Sequence, residues 1–244
     1  MIALNSVVAF QLIQFKKDVD KLIEANVKKD EAIFQVLKRY IKECKPVRFD
    51  GNGYSQEWAE EAERRGLTNV KSVPLALDSY LNKNSRKVFE SLGIFNEKEL
   101  EARVEVEYEK YVKKIQIEAR VLGDLAINHI VPTAINYQTM LIENVKGLKI
   151  IFSDEEFNEL AGARKDLIKE ISNHISNIKS KTKDMIEARK VANVIENSRG
   201  KALEYEQNVK PYLEDIRYHI DKLELVVDNE LWPLPKYREL LFTR

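Results

Sequence analysis

Residues 96–145, NEKELEARVEVEYEKYVKKIQIEARVLGDLAINHIVPTAINYQTMLIENV, decide the fold. Asn96 followed three residues later by Glu99 has the form of a capping box, so a helix is expected to start here. Val104, Tyr108, Tyr111, Ile115, Ala119, Leu122, Ala126 and His129 then recur at 4-3-4 spacing. That spacing lines one side of a helix and is incompatible with the period of two that a half-buried strand needs. Pro132 falls inside the run, yet Ile135, Leu141, Ile142 and Val145 carry the stripe onward. The expectation is therefore a long helix that kinks at the proline and continues.

Reading outward toward the C-terminus, Gly147–Phe152 is expected to turn the chain. Ser153 with Glu156 then repeats the capping pattern. A second long helix follows, with Leu160, Leu167, Ile171, His174, Ile178, Thr182 and Met185 on its seam. Asn197–Gly200 breaks it, and a third helix carries Tyr205, Val209, Tyr212, Ile216, Leu223 and Val227, with Pro211 inside. Three long helices joined by short turns predict an elongated three-helix antiparallel bundle over residues 96–244.

Residues 1–95 read as a smaller helical part. Val8, Leu12, Phe15, Val19 and Leu22 form one stripe, with Asn5 or Ser6 available as its cap. Ile33, Phe34, Leu37, Tyr40 and Ile41 form another, stopped by Pro46. Val47–Gly53 has the look of a strand scrap ending in a tight turn, and Ser55 opens a short helix that ends at Gly66. Short helices broken at Pro74, Asn82–Ser85 and Gly93 complete the segment. The fold class is all-α.

Composition narrows the function classes. Among 244 residues, Lys+Arg and Asp+Glu are both 40, so the formal net charge is zero. Nucleic acid or an anionic membrane as main partner would need clustered positive charge, and neither is expected. Only 8 Gly and 6 Pro leave the long helices uninterrupted. The single cysteine, Cys44, has no partner for an internal disulfide, which fits a reducing cytoplasm. No apolar run is long enough to span a bilayer and no signal-peptide pattern opens the chain, so a cytoplasmic protein is expected.

Three stretches resemble the type III glutamine synthetases. The most specific is the tail, residues 221–244 (DKLELVVDNELWPLPKYRELLFTR). Residues 49–67 (FDGNGYSQEWAEEAERRGL) are the second and residues 118–137 (EARVLGDLAINHIVPTAINY) the third. Val73–Leu81 and Lys87–Phe95 bear a looser likeness to the close of glutamine synthetase catalytic domains in general. Together these segments run in family order over most of the chain. The family condenses glutamate with ammonia: ATP phosphorylates the side-chain carboxylate, ammonia displaces the phosphate, and Mg or Mn ions are held by Glu and His residues. None of its catalytic or metal-binding motifs matches a position here, because the likeness begins near Leu4–Asn5, just after the family's Asn-Pro segment. The resemblance thus implies that residues 1–95 are the last helices of a catalytic domain and 96–244 the helical extension peculiar to type III. ATP and Mg or Mn belong to the parent enzyme and no cofactor to this chain, which is expected to be inactive by itself. The implied partners are the rest of the subunit and neighbouring subunits of a ring-like homo-oligomer.

The residues themselves offer only fragments of a site. Gly51-Asn52-Gly53 lacks the Lys-Ser/Thr of a phosphate loop and reads as a tight turn. Cys44 has no histidine in its half of the sequence to activate it and reads as a small hydrophobe on an amphipathic helix. His129, His174 and His219 fall one on each long helix, about equally far from the turns between them. All three could share one layer, where three imidazoles would suit zinc, although hydrogen-bonded structural histidines are the commoner outcome. In the tail, Trp232, Leu240, Leu241 and Phe242 either cap the bundle or anchor a neighbouring subunit. The competing function is a free-standing, coiled-coil-like scaffold or adaptor whose seams bind partner helices.

Overall fold

The computed structural model describes residues 1–242, the side chains of Tyr237 and Arg238 excepted. It is all-α, and no strand occurs among the described residues. The helices are α1 (Ile2–Glu24), α2 (Lys29–Glu43), α3 (Gln56–Arg64), α4 (Val73–Leu77), α5 (Lys83–Ser91), α6 (Glu97–Leu125), α7 (Val131–Ile151), α8 (Asp154–Val194), α9 (Ser198–Glu204), α10 (Lys210–Val226) and the single turn α11 (Tyr237–Leu240). The chain divides into two compact units, Met1–Glu107 and Tyr108–Arg244, with the division inside α6.

The first unit is built on a helical hairpin. Asn26 takes φ of 64°, a left-handed conformation that asparagine tolerates, and ends α1 so that the chain can reverse. Val19, Ala32 and Val36 form the hairpin core, flanked by Phe15, Leu22, Val27, Ile33 and Tyr40. The Phe15 and Tyr40 rings meet edge-on at 5.9 Å, and the Tyr40 hydroxyl donates to Asp18 at 3.0 Å. α1 begins at Ile2, so neither Asn5 nor Ser6 caps it. Buried Ser6 instead donates to the Ile2 carbonyl one turn back, at 2.7 Å. Where a strand scrap was expected, a 3-10 turn at Lys45–Val47 leads into irregular chain. Ser55 caps α3, accepting from the Trp58 amide at 3.2 Å, and Gly66 ends that segment with φ of 76°. Pro74 sits in the first turn of α4, where its missing N–H costs nothing. Asn82 caps α5 through the Ser85 amide at 2.8 Å.

The Asn96–Glu99 capping box is formed in both directions, at 2.9 and 3.0 Å. Arg86 of α5 reaches the same turn, bonding Glu97, Glu101 and the Leu81 carbonyl.

In the second unit α8 packs along α7 on one side and α10 on the other. Ile171, Ile178, Met185, Ile216 and Leu223 have no exposed surface. Ala119, Ala126, Ala134, Ala161, Ala192 and Ala202 have none either, so small side chains let the helices approach closely. The helix does continue across Pro132, but through a π-helical segment, Ala126–Ile130. A second π segment, Tyr205–Val209, precedes Pro211 in the same way. Each proline stands two residues beyond the π segment. The wider turn gives room to a pyrrolidine ring and to the carbonyl left without its N–H partner.

Two seam expectations shift. α7 runs on to Ile151, so the turn is confined to Phe152 and Ser153 rather than starting at Gly147. The capping box at Ser153 and Glu156 stops the turn and starts α8. Leu160 is exposed, and Ala161 takes the inward position because the helix phase, set by that cap, turns it to the core.

Candidate functional site

The packed faces of α8 and α10 carry one unusual polar contact. His174 and His219 oppose each other with their Nδ1 atoms 2.8 Å apart and their ring centroids 5.1 Å apart. The His174 side chain is only 14% exposed, and its other nitrogen, Nε2, lies 3.9 Å from a Glu170 carboxylate oxygen. Across the layer, Lys181 and Asp215 join at 2.7 Å, and the Tyr218 ring meets His219 edge-on at 5.2 Å. His219 is held below the ordinary histidine range, first by burial, then by the charges of His174 and Lys181, with Asp215 opposing. His129 does not join this pair. It lies exposed on the π segment before Pro132, whose extra residue turns it out of the seam on which simple helical counting placed it.

A second polar cluster sits at the other π segment. Tyr111 of α6 donates to Glu206, which also accepts from Lys210 at 3.2 Å. Fully buried Tyr205 donates to Asn193 at 2.7 Å. Periodicity had marked the tyrosines only as seam residues. Their acceptors lie on other helices, 95 and 12 residues away in sequence, so no contact within a single helix could have named them.

In the tail, Trp232 is buried within its own chain, whereas Leu240, Leu241 and Phe242 are exposed. Lys236 fastens the hook, donating to the Glu224 carbonyl at 2.7 Å and to Asn229 at 2.6 Å while its ammonium lies 5.7 Å from the Trp232 ring. Thr243 and Arg244 lie outside the described residues.

In the first unit, Phe49 stacks on Trp58 at 4.2 Å beside Gly51. Arg65 spans the base of that loop, donating to the Arg48 carbonyl at 2.7 Å. Cys44 is exposed. The larger feature is one that the stripes on α1 and α2 did not announce. Leu4, Leu12, Phe34 and Ile41 are 64%, 63%, 59% and 60% exposed, so much of each helix's apolar content faces outward. Nearby, Ile2, Leu77, Tyr80, Phe89, Leu100 and Val104 line an open groove of about 450 Å³.

The residues present do not fit a catalytic metal. Among the described residues, no group of three or more His, Cys, Asp or Glu side chains could hold one. Many ion pairs run along helix surfaces, as Lys146–Glu143 and Lys190–Glu187 do. Among the described residues, no helix is long and apolar enough to cross a membrane.

Long helices meeting through alanine-lined seams, with polar contacts confined to single layers, define an all-α helical domain. Its sequence places it further. Residues 32–149 match the model of the glutamine synthetase C-terminal domain. Over its whole length the chain is 58% identical to a glutamine synthetase of Bacteroides fragilis (strain YCH46) and 29% identical to a type-3 glutamine synthetase of Dictyostelium discoideum. A glutamine synthetase of Butyrivibrio fibrisolvens is 27% identical over 87% of the chain. The chain covers 34%, 33% and 30% of these proteins, so it spans about a third of the length of the curated relatives it matches.

Proposed function

We propose that this chain is the C-terminal helical region of a type III glutamine synthetase, an ATP-dependent glutamate–ammonia ligase. In this reading its task is to support the catalytic core and shape subunit contacts, and it makes no glutamine by itself. The observation that carries the reading is full-length similarity at 58% identity to a relative of which the chain covers only 34%. The uncovered apolar face of α1 and α2 supports it. Exposed apolar side chains of this kind raise the free energy of a solvated monomer, which burial against a partner relieves. The remaining part of the subunit is the partner proposed here. ATP and Mg or Mn would be held by that part, because catalysis of the phosphoryl step needs positioned charge that these helices do not assemble. In the tail, exposed Leu240, Leu241 and Phe242 would meet a neighbouring subunit of a homo-oligomer, while Trp232 fixes the hook that presents them. Residues 1–95 would close the catalytic domain and 96–244 form the extension, working in the cytoplasm.

An immunoblot of the source cells with an antibody to this chain tests the reading. A band several times heavier than 28.4 kDa is expected. A single band at that mass would bring forward a free-standing adaptor that uses the same face to bind a foreign helix. The purified chain is further expected to form no glutamine from glutamate, ammonia and ATP, and measurable formation would sink the claim of inactivity.

A further inference from the structure

We propose that His174 and His219 form a proton-sharing clasp between α8 and α10, which accepts one proton intact and opens on the second. The geometry is the warrant. At 2.8 Å two facing ring nitrogens can be bridged by one hydrogen and no more, so one Nδ1 donates and the other accepts. The neutral pair therefore needs two different tautomers. His219 is assigned the donor role, because the outer nitrogen of His174, Nε2, faces the Glu170 carboxylate at 3.9 Å and carries its ring's hydrogen there. The first proton taken from solvent goes onto the free Nε2 of His219, and the shared hydrogen passes to the His174 Nδ1. It leaves the Nδ1–H···Nδ1 bond in place and strengthens it by charge. A second proton has only the His219 Nδ1 left to occupy. Two N–H groups would then point at each other between packed helices, and the contact must break.

The surroundings sharpen the difference between the two rings. On α8, Glu170 faces the outer nitrogen of His174, while Lys181 pairs with Asp215 of α10 at 2.7 Å. Tyr218 of α10 offers His219 a ring edge rather than a charge. On the α7 side, Gln138 bonds the Ile168 carbonyl and Ser172, which sets the antiparallel level. One turn further along, that level is met by buried Ala134 and Val131, and His129 is exposed beyond them. The lowered affinity of His219 for a proton agrees with the acceptor role it takes in the singly charged pair.

Folding thus favours an uncharged His219. As pH falls below the unfolded-chain value of about 6.5, the unfolded state takes up the proton first. Stability present above that pH is lost as pH falls through the lower folded value. In this window the linkage shifts the unfolding equilibrium by up to about tenfold per pH unit for one proton.

The test is a titration of the full chain from pH 7.5 to 4.5, following imidazole nitrogens by 15N NMR. At the start, a bare His174 Nδ1 and a protonated His219 Nδ1 are expected. On acidification the first proton should leave the contact intact, and the second should arrive at the His219 Nδ1 together with loss of α8–α10 packing. Two rings titrating independently at one midpoint, or both carrying hydrogen on Nε2, would overturn the clasp without any variant being needed. Unfolding of His219→Gln should lose the extra acid sensitivity below pH 6.5, whereas His129→Gln should keep it. Superimposable profiles for wild type and His219→Gln would also refute the proposal.

Discussion

The α1–α2 hairpin of the first unit and the α8–α10 pair of the second are both amphipathic, yet they bury their stripes to different degrees. On α8 and α10 the inward residues Ile171, Ile178, Met185, Ile216 and Leu223 are wholly covered. On α1 and α2 the hairpin covers Val19, Ala32 and Val36, while Leu4, Leu12, Phe34 and Ile41 remain in solvent. Hydrophobic stabilisation scales with apolar area removed from water, about 25 cal/mol per Å². The inward stripes of α8 and α10 have therefore collected what they offer, and the outward residues of α1 and α2 have not. An amphipathic helix does not reveal how many faces of it will be used, or by what.

Core truncation should break the symmetry between the two regions most strongly. Ile178→Ala is expected to cost about 2–5 kcal/mol, because it opens a cavity where nothing is exposed. Leu12→Ala, at a site 63% exposed, should stay within about 0.5 kcal/mol. Equal losses in chemical denaturation would end the distinction drawn above. Tyr111→Phe removes the hydroxyl that serves Glu206, whose side chain is only 14% exposed, and should cost about 1–3 kcal/mol. Its effect should appear in thermal melts and be smaller when Glu206 is already Gln. Ser153→Ala removes one half of a formed capping box and should lower stability by about 1 kcal/mol. With the cap lost, Glu156 should titrate at higher pH, since hydrogen bonds to Ser153 now hold its carboxyl below the ordinary range. A further change has the opposite sign. An added Cβ at Gly123 would meet Met185 and Thr182 at 3.5 Å, an ordinary contact. Gly123→Ala should thus stabilise by about 0.5–1 kcal/mol, and a loss instead would mean the α6–α8 seam is tighter than it looks.

Helix termini were the most legible part of the sequence. Ser55, Asn96 and Ser153 all act where local chemistry placed a start, since a cap is a contact between residues three apart. The seams of the long helices were legible for the same reason, down to Tyr205, Val209 and Ile216. What escaped is what depends on a register set elsewhere. His129 was counted on a regular helix and left the layer because one π turn precedes it. The partners of Tyr111 and Tyr205 lie on other helices, and the exposure of α1 has no mark in its periodicity, which sets a stripe without saying what covers it. Of the three histidines, counting paired two correctly, because the turn between α8 and α10 keeps His174 and His219 level.

The π turns before Pro132 and Pro211 bear on how this region can change length. Each residue added to or removed from a helix rotates everything beyond it by about 100°. Loss of a single residue from Ala126–Ile130 would restore a regular α-helix, but it would swing Ala134 away from the core it now lines. The prolines would also press on carbonyls that now have room. Deletions and insertions should therefore be tolerated near Phe152 and Asn197, where the chain turns, and rejected at the two π turns, although nothing in their composition marks them as fragile. In these helices chain length acts as a phase, and the π turns set it.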